Sequence, residues 1–318
     1  MPFLENVPDK EEIISVYNRI KPFIHRTPIL TSRFINSFTG CDIYFKCENF
    51  QKAGAFKFRG AVNALLSLNK EEKRLGVITH SSGNHAGALS KAAQEMGIKA
   101  VIVMPNNAPE IKKSAVKQYG AEIVFCEPTI DSRESTTKEL IKKYGMVLVH
   151  PFDNYTVIAG QSTAAMELLN DVENLDFIIT PIGGGGLNSG SCLAAKYFYP
   201  ATKIIGAEPA GADDAYRSWK EKKLYPQNNP NTICDGLRTP LSTKTFSIII
   251  ENIENIFTVE DETTKEAMKL IMERMKIVVE PSSAIVLAAI LENKEYFKNK
   301  RVGLILSGGN VDLKKLPF

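Results

Sequence analysis

Lys57 sits in the run Gly54-Ala55-Phe56-Lys57-Phe58-Arg59-Gly60-Ala61. Flanking phenylalanines and a nearby arginine lower an ammonium pKa by desolvation and like charge. A lysine so poised can attack a carbonyl and form a Schiff base; the same spacing also suits an ordinary lysine with a solvated head. Four consecutive glycines, Gly183–Gly186, follow an apolar run and precede LNSGSCLAAKYF. Backbone without side chains lets several N–H groups converge on an anion, and a helix N-terminus adds favourable partial charge. Neither common nucleotide fingerprint fits, because Ser189 stands where the last glycine of G-x-G-x-x-G is needed and Ser191 follows Gly190 where a P-loop requires lysine. A phosphate clamp of another kind and a ligand-free tight turn both remain open. The run His80-Ser81-Ser82-Gly83-Asn84-His85 clusters hydroxyls at a strand-to-helix junction, which suits a carboxylate or another oxyanion. It also suits a simple helix cap by Ser82 or Asn84. Ser307-Gly308-Gly309-Asn310 closes the last strand in a similar way. Glu208, Asp213 and Asp214 offer hard oxygen ligands for Mg²⁺ or Ca²⁺ together with a loop carbonyl, although a solvated acidic loop is the simpler reading. Glu71-Glu72-Lys73-Arg74 reads as a solvated face.

The elements that must position these groups alternate along the chain. VITH (77–80), AVIVMP (100–105), AEIVFC (121–126) and MVLVH (146–150) read as strands. NHAGALSKAAQEMG, APEIKKSAVKQYG and DSRESTTKELIKKYG between them read as helices, ended by Gly97, Gly120 and Gly145. Asp131, with Glu134 three residues on, is the expected N-cap of the third. FIITPI (177–182), KIIGAE (203–208) and RVGLILSGG (301–309) form a second strand series, with the helical EAMKLIMERMK before its last member. CDIYFKCE (41–48) reads as an isolated strand, and PQNNPNT (226–232) as a surface loop. Strands alternating with helices imply right-handed βαβ units and parallel sheets. The simplest partition inserts a four-strand unit, 77–149, between two halves of a larger α/β domain, 1–76 and 150–318.

Composition excludes several classes. Of 318 residues, 44% are hydrophobic and 24% charged, a globular balance able to bury a core without staples. Lys+Arg 39 against Asp+Glu 36 leaves +3, so no basic field points to nucleic acid or a membrane surface. The five cysteines are scattered without C-x-x-C, and the four histidines lack H-E-x-x-H spacing. The amino terminus has no signal-like charged and apolar regions, and no apolar run approaches the ~20 residues that span a bilayer. The expectation is a cytoplasmic protein without membrane partners.

The order of the motifs is more specific than any one of them. Ala-Phe-Lys-x-Arg-Gly-Ala around Lys57, then SSGNHA, the tetraglycine, EPSSA (280–284) and SGGN resemble the β-family, or fold type II, of pyridoxal-phosphate enzymes. The resemblance runs from the N-terminal helix to VDL (311–313). CEPTIDSRE (126–134), EPAGADD (208–214), TICDGL (232–237) and ERMKIVVEPSS (273–283) are most similar to its eukaryotic-type serine racemase and serine/threonine dehydratase branch. That resemblance implies two open, twisted, mostly parallel sheets flanked by helices, with the small domain closing over the substrate. It implies that Lys57 holds the cofactor, Phe56 packs beside its ring, Asn84 meets its phenolic oxygen, Gly183, Gly184, Gly185 and Gly186 bind its phosphate and Ser307 meets the pyridine nitrogen. A hydroxyl there leaves the ring a weaker electron sink than a carboxylate would, favouring short-lived carbanions. Ser81, Ser82, Asn84 and His85 would cradle the substrate carboxylate, with Arg133 as a second anion contact. Lys57 and Ser82 on opposite faces of Cα would serve a racemase, and loss of the β-hydroxyl from the same carbanion would give pyruvate and ammonia, or 2-oxobutyrate from threonine. Glu208, the Ala212 carbonyl and Asp214 would hold Mg²⁺ (or Mn²⁺ or Ca²⁺).

Two departures qualify the match. Ala55 stands where many members have serine, a change also found within the family. Gly87 stands where ATP-activated racemases often have glutamine, so ATP is an open question although Tyr119, Lys276 and Asn310 match other parts of that nucleotide site. The resemblance further implies a homodimer, and the absence of an appended regulatory domain makes isoleucine feedback unexpected. The nearest rival is a dehydratase of L-threonine, serine or 3-hydroxyaspartate with little racemase activity. A sulfhydrylase is disfavoured by SSGNH, a silent binding homologue by the presence of Lys57 and the glycines, and a nucleotide-driven transferase by the missing fingerprints.

Overall fold

The computed structural model describes residues 6–108 and 110–318. Residues 1–5, part of the segment read for a signal, and Pro109, within the second predicted helix, lie outside them. Two sheets organise the chain. The larger runs in the order β1 (Ile29–Leu30), β2 (Asp42–Cys47), β10 (Arg301–Leu306), β7 (Phe177–Pro181), β8 (Lys203–Pro209), β9 (Ile253–Val259). All its pairings are parallel except β1 on β2. The smaller runs β5 (Glu122–Cys126), β4 (Ala100–Pro105), β3 (Val77–His80), β6 (Val147–Leu148), all parallel. CDIYFKCE is therefore not isolated: it lies between β1 and β10, and its mostly buried side chains match the mostly buried run of β10.

Register explains why both faces of each sheet are covered. Ile179 pairs with Ile205 and Leu304, and all three face a core with α12 (Asp261–Met275) and α13 (Pro281–Glu292). One residue earlier, Ile178 and Ile204 face the opposite core, with α1 (Lys10–Ile20), α8 (Tyr155–Asp171) and α9 (Gly186–Phe198). A period of two thus sends alternate side chains to two helical layers. In the smaller sheet, Ile78 and Val101 pack toward α7 (Ile130–Tyr144). Val77 and Ile102 pack toward α5 (Asn84–Met96) and α3 (Lys57–Leu66). Because α3 lies outside 77–149 in the chain, this core joins the small sheet to the rest of the molecule.

The remaining helices are α2 (Arg33–Thr39), α4 (Lys70–Leu75), α6 (Glu110–Gln118), α10 (Asp214–Glu221), α11 (Thr243–Asn252) and α14 (Lys294–Phe297). Gly97, Gly120 and Gly145 end their helices as expected, each with positive φ. Asp131 is not the N-cap of α7. Thr129 takes that place, accepting the Ser132 amide at 3.1 Å, because it keeps extended backbone while Asp131 already lies in the first turn. Residues 226–232 form a loop, anchored where the Asn231 amide donates to the Gly211 carbonyl. Among the described residues no helix is long and apolar enough to cross a membrane.

Candidate active site

Lys57 opens α3, and the backbone just before it is tied to the end of β10. Ala55 bridges Gly308, and the Phe56 amide donates to the Ser307 carbonyl at 3.0 Å. This strand-end anchor fixes where the lysine leaves the sheet. Its Nζ donates to the Pro151 carbonyl at 3.0 Å and lies 5.1 Å from the Phe56 ring centroid. No carboxylate is paired with it among the described residues, and burial pushes its pKa down to about 8. A substantial neutral fraction at physiological pH is what a Schiff-base lysine needs.

A second candidate part of the site is the junction of β3 with α5. Ser81 and Ser82 fall between the strand end at His80 and the first helical residue, Asn84. Gly83, the N-cap, offers no side chain, so the first-turn amides of α5 are free for a ligand. The Ser81 hydroxyl accepts the Gly83 amide at 3.3 Å. Asn84 accepts from Asn310 at 2.9 Å and donates to Glu280 at 2.6 Å. Glu280 is buried, which together with Asp235 pushes its carboxyl up to about 7, against the pull of Lys112 and Asn84. The His85 imidazole turns inward, its Nε2 on the Val149 carbonyl at 3.0 Å. Burial and then the Lys57 charge push it down to about 3, so it is neutral. Its Nδ1 is buried without a partner among the described residues.

At the third corner, glycine is required by close approach. A Cβ on Gly184 would lie 2.3 Å from the Phe152 ring, and one on Gly183 would lie 2.9 Å from the Gly236 carbonyl oxygen. Gly185 has φ 83° and is the N-cap of α9, again without a capping side chain. The loop is therefore a bare backbone cradle at a helix N-terminus, suited to phosphate. The Ser307 hydroxyl, buried at the end of β10, makes only a long 3.5 Å contact to the Ser282 carbonyl. The Lys57 amine meets the Pro151 carbonyl, Phe152 next to it abuts Gly184, and the Phe56 amide meets the Ser307 carbonyl; an amine, a bare anion cradle and a hydroxyl linked in this way are groups that suit pyridoxal phosphate.

The comparison with known families agrees. The description "Pyridoxal-phosphate dependent enzyme" matches residues 20–308. The chain belongs to the pyridoxal-phosphate-dependent enzymes. Serine racemase of Dictyostelium discoideum is 51% identical over 312 residues, covering 96% of each chain. The beta-hydroxyaspartate dehydratase of Paracoccus denitrificans is 48% identical, covering 98% of this chain and 99% of its own. The solved maize serine racemase superposes with a TM-score of 0.95 at 44% identity, covering 97% of this chain and 95% of its own. These likenesses place the fold in type II of the pyridoxal-phosphate enzymes.

The other candidate residues are placed unevenly around this pyridoxal-phosphate fold. Arg133 lies in the first turn of α7, half-buried, with Nε donating to the Thr129 carbonyl at 3.3 Å. Glu208 and Asp214 are both 1% exposed and meet at the end of β8. Glu208 accepts the amides of Ala215 and Tyr216 at 2.9 and 2.7 Å, while Asp214 accepts from Gln227 and the Leu241 amide at 2.8 and 3.2 Å. Burial, then Asp214, raises the Glu208 pKa; burial pushes Asp214 up to about 6. The Asp213 side chain instead turns to Arg217 at 2.8 Å. Ala212 is buried in the short turn Ala210–Ala212 between them. Two buried carboxylates without a cationic partner among the described residues have the chemistry a divalent cation would suit, although no group of three or more His, Cys, Asp or Glu side chains gathers there among the described residues.

Tyr119 and Asn310 share a cleft of about 160 Å³ with Gly87, Asn84 and Lys112. A Cβ on Gly87 would meet nothing within 4 Å. Lys276 is exposed at the C-cap of α12 and does not line this cleft. Motif reading assigned no role to His150, Pro151, Phe152, Lys112, Asp235 or Glu280. Lys112 of α6 pairs with Asp235 of the segment before α11, beside Glu280. Only the position of His150 and Pro151 just past the end of a strand could have marked them.

Proposed function

We propose that the chain is a serine racemase that also eliminates water from L-serine, giving pyruvate and ammonia, with threonine as a further elimination substrate. The observation that carries this reading is the desolvated Lys57 amine in a chain 51% identical to a serine racemase over 96% of both, with the Ser81–Ser82 hydroxyls at the β3–α5 junction as the proton-handling group of a second kind. The bound cofactor would supply an electron sink for the charge developing at the substrate Cα. Gly183–Gly186 and the first amides of α9 would hold its phosphate, with Phe56 beside its ring, Asn84 at its phenolic oxygen and Ser307 at its ring nitrogen. Ser81, Ser82, Asn84 and His85 bind the substrate carboxylate through hydroxyls and free amides, with Arg133 as an outlying second anion contact. Lys57 takes the Cα proton of L-serine and Ser82 delivers one from the other face; the roles reverse for D-serine. A proton delivered to the β-hydroxyl instead commits the substrate to elimination.

The small unit, 77–149, acts as the domain that closes over the substrate, since β3 and α5 carry the carboxylate site while 1–76 and 150–318 carry the lysine and glycines. Glu208, the Ala212 carbonyl and Asp214 hold Mg²⁺, with Mn²⁺ or Ca²⁺ as substitutes, away from the reacting atoms. ATP is the candidate ligand of the cleft at Tyr119 and Asn310, and turnover with and without ATP tests whether Gly87 permits activation. A homodimer, testable by light scattering, is the assembly. Five buried, free cysteines support a reducing compartment such as the cytoplasm. The 48%-identical dehydratase supports a second reading, elimination from 3-hydroxyaspartate with little racemisation.

One incubation separates the readings. Protein, pyridoxal phosphate, Mg²⁺ and L-serine are combined; D-serine is followed by chiral chromatography and pyruvate is assayed in parallel. D-serine alongside pyruvate is expected. Pyruvate alone would make the enzyme a dehydratase and shift the test to 3-hydroxyaspartate and L-threonine.

A further inference from the structure

His150 lies two residues past the end of β6 and opens the strap, 150–154, that carries the chain from the small sheet into α8. Its Nδ1 accepts the Asp153 amide at 2.9 Å and the Phe152 amide at 3.4 Å. Both bonds need a lone pair on Nδ1, which leaves the ring proton on Nε2. The surroundings keep the ring neutral. Burial first, then His80 and Lys57, push its pKa down to about 4, against the opposing pull of Asp153 and Glu134. His80 lies edge-on at 5.2 Å between centroids and Phe152 at 4.8 Å.

The strap so bent touches both ends of the proposed cofactor site. The Pro151 carbonyl receives the Lys57 amine at 3.0 Å. One residue on, the Phe152 ring and Cβ abut Gly184 and Gly186, filling the space that side chains there would take. Without the imidazole acceptor, two strap amides would lose their partner and the bend would lose what defines it.

We propose that His150 is a positioning residue: as a neutral two-amide acceptor it shapes the strap that aims the Pro151 carbonyl at the Lys57 amine and seats Phe152 on the glycine loop. This rests on the reading of Lys57 as the cofactor lysine. The carbonyl holds one N–H of the amine and so turns its lone pair away from that oxygen. The alternative is that His150 only fills space between His80 and Phe152.

Two substitutions separate these roles. His150→Asn places its amide oxygen near the position of Nδ1 but leaves a smaller side chain; His150→Gln keeps more of the volume and places its polar atoms near Nε2. Positioning therefore predicts that Asn rescues and Gln does not, whereas space filling predicts the reverse. Pyridoxal phosphate is titrated into each protein and the Lys57-dependent visible absorbance recorded, with Lys57→Ala as control. His150→Asn is expected to keep the cofactor Kd within about threefold, and His150→Gln to raise it about tenfold, the scale of one lost hydrogen bond. Equal values, or Gln better than Asn, would overturn the proposal. If the wild type gives no Lys57-dependent absorbance, the cofactor reading fails first and the proposal falls with it. Nitrogen NMR of wild-type His150 gives a measurement independent of how the variants fold: Nδ1 is expected unprotonated from about pH 8 to about pH 5, and a protonated Nδ1 would refute the role.

Discussion

Lys57 shows a functional group held at a cost to stability. Its pKa is lowered from 10.5 to about 8 by burial. A depressed lysine sheds its proton more readily in the folded chain, so its burial opposes folding below about pH 8 and the opposition fades as pH rises toward 10.5. Cofactor-free Lys57→Met should therefore melt a few degrees higher than wild type at neutral pH, on the order of 1–2 kcal/mol after allowing for partial exposure. The gain should shrink as the pH is raised, while the visible cofactor band and turnover vanish. A lower melting temperature at neutral pH would show that the amine's contact with Pro151 outweighs its desolvation. Ser82→Ala should suppress racemisation far more than elimination of water from L-serine, measured in the same incubation. A parallel fall would reduce Ser82 to a carboxylate contact. Lys57, the glycines and the serines were legible because their chemistry is local: a lysine among phenylalanines, bare backbone before a helix, hydroxyls at a strand end. His150 and Glu280 were not, since their roles depend on partners brought close only by folding.

Three helices behind the site touch backbone to backbone, and small residues permit it. A Cβ on Gly160 of α8 would lie 2.6 Å from the Gly60 Cα of α3, and one on Gly190 of α9 would lie 2.7 Å from the Ser162 amide nitrogen of α8. These contacts are between main chains, so no side chain can give way. Gly160→Ala should cost ~1–3 kcal/mol or more by overpacking and should weaken pyridoxal-phosphate binding, because pushing α3 displaces Lys57 at its first turn. Thermal unfolding and a cofactor titration on one sample test both effects; destabilisation with unchanged cofactor affinity would show that α3 moves without its first turn. Most strands and helices were readable from β-branched runs, helical spacing and terminal glycines. The N-cap of α7 was missed by two residues, since Thr129 and Asp131 are both good caps and only the backbone decides which one keeps extended geometry.

Across the whole molecule, four buried charges bind distant segments. Arg59 donates to Glu48 at 2.8 Å and to Glu167 at 2.8 and 3.0 Å, and Lys46 donates to Glu167 at 2.7 Å. All four side chains are at most 1% exposed. Two positive and two negative charges balance, so deleting one leaves an uncompensated buried charge. Arg59→Met should destabilise by ~3–5 kcal/mol in chemical denaturation; a loss under ~1 kcal/mol would mean that the carboxylates find other partners. The same logic applies at Glu208 and Asp214, whose mutual repulsion a bound cation would relieve. Mg²⁺ at about 100 times its Kd should add ~2.7 kcal/mol, seen as a rise in melting temperature that Asp214→Asn abolishes. An equal rise in that variant would place the ion elsewhere.

The sequence by itself determined the α/β class, the βαβ order and the chemistry-bearing motifs, because periodicity, turn residues and local functional groups act over a few neighbours along the chain. It left β2 without a partner, offered Asp131 as a cap and was silent on the strap at His150. Tertiary structure decided those points. The carbonyl that receives Lys57 comes from Pro151, 94 positions away, the carboxylate that meets Lys46 from Glu167, 121 away, and the strand beside Asp42 from Arg301, 259 away, and close packing selects among pairings that local propensity leaves equivalent.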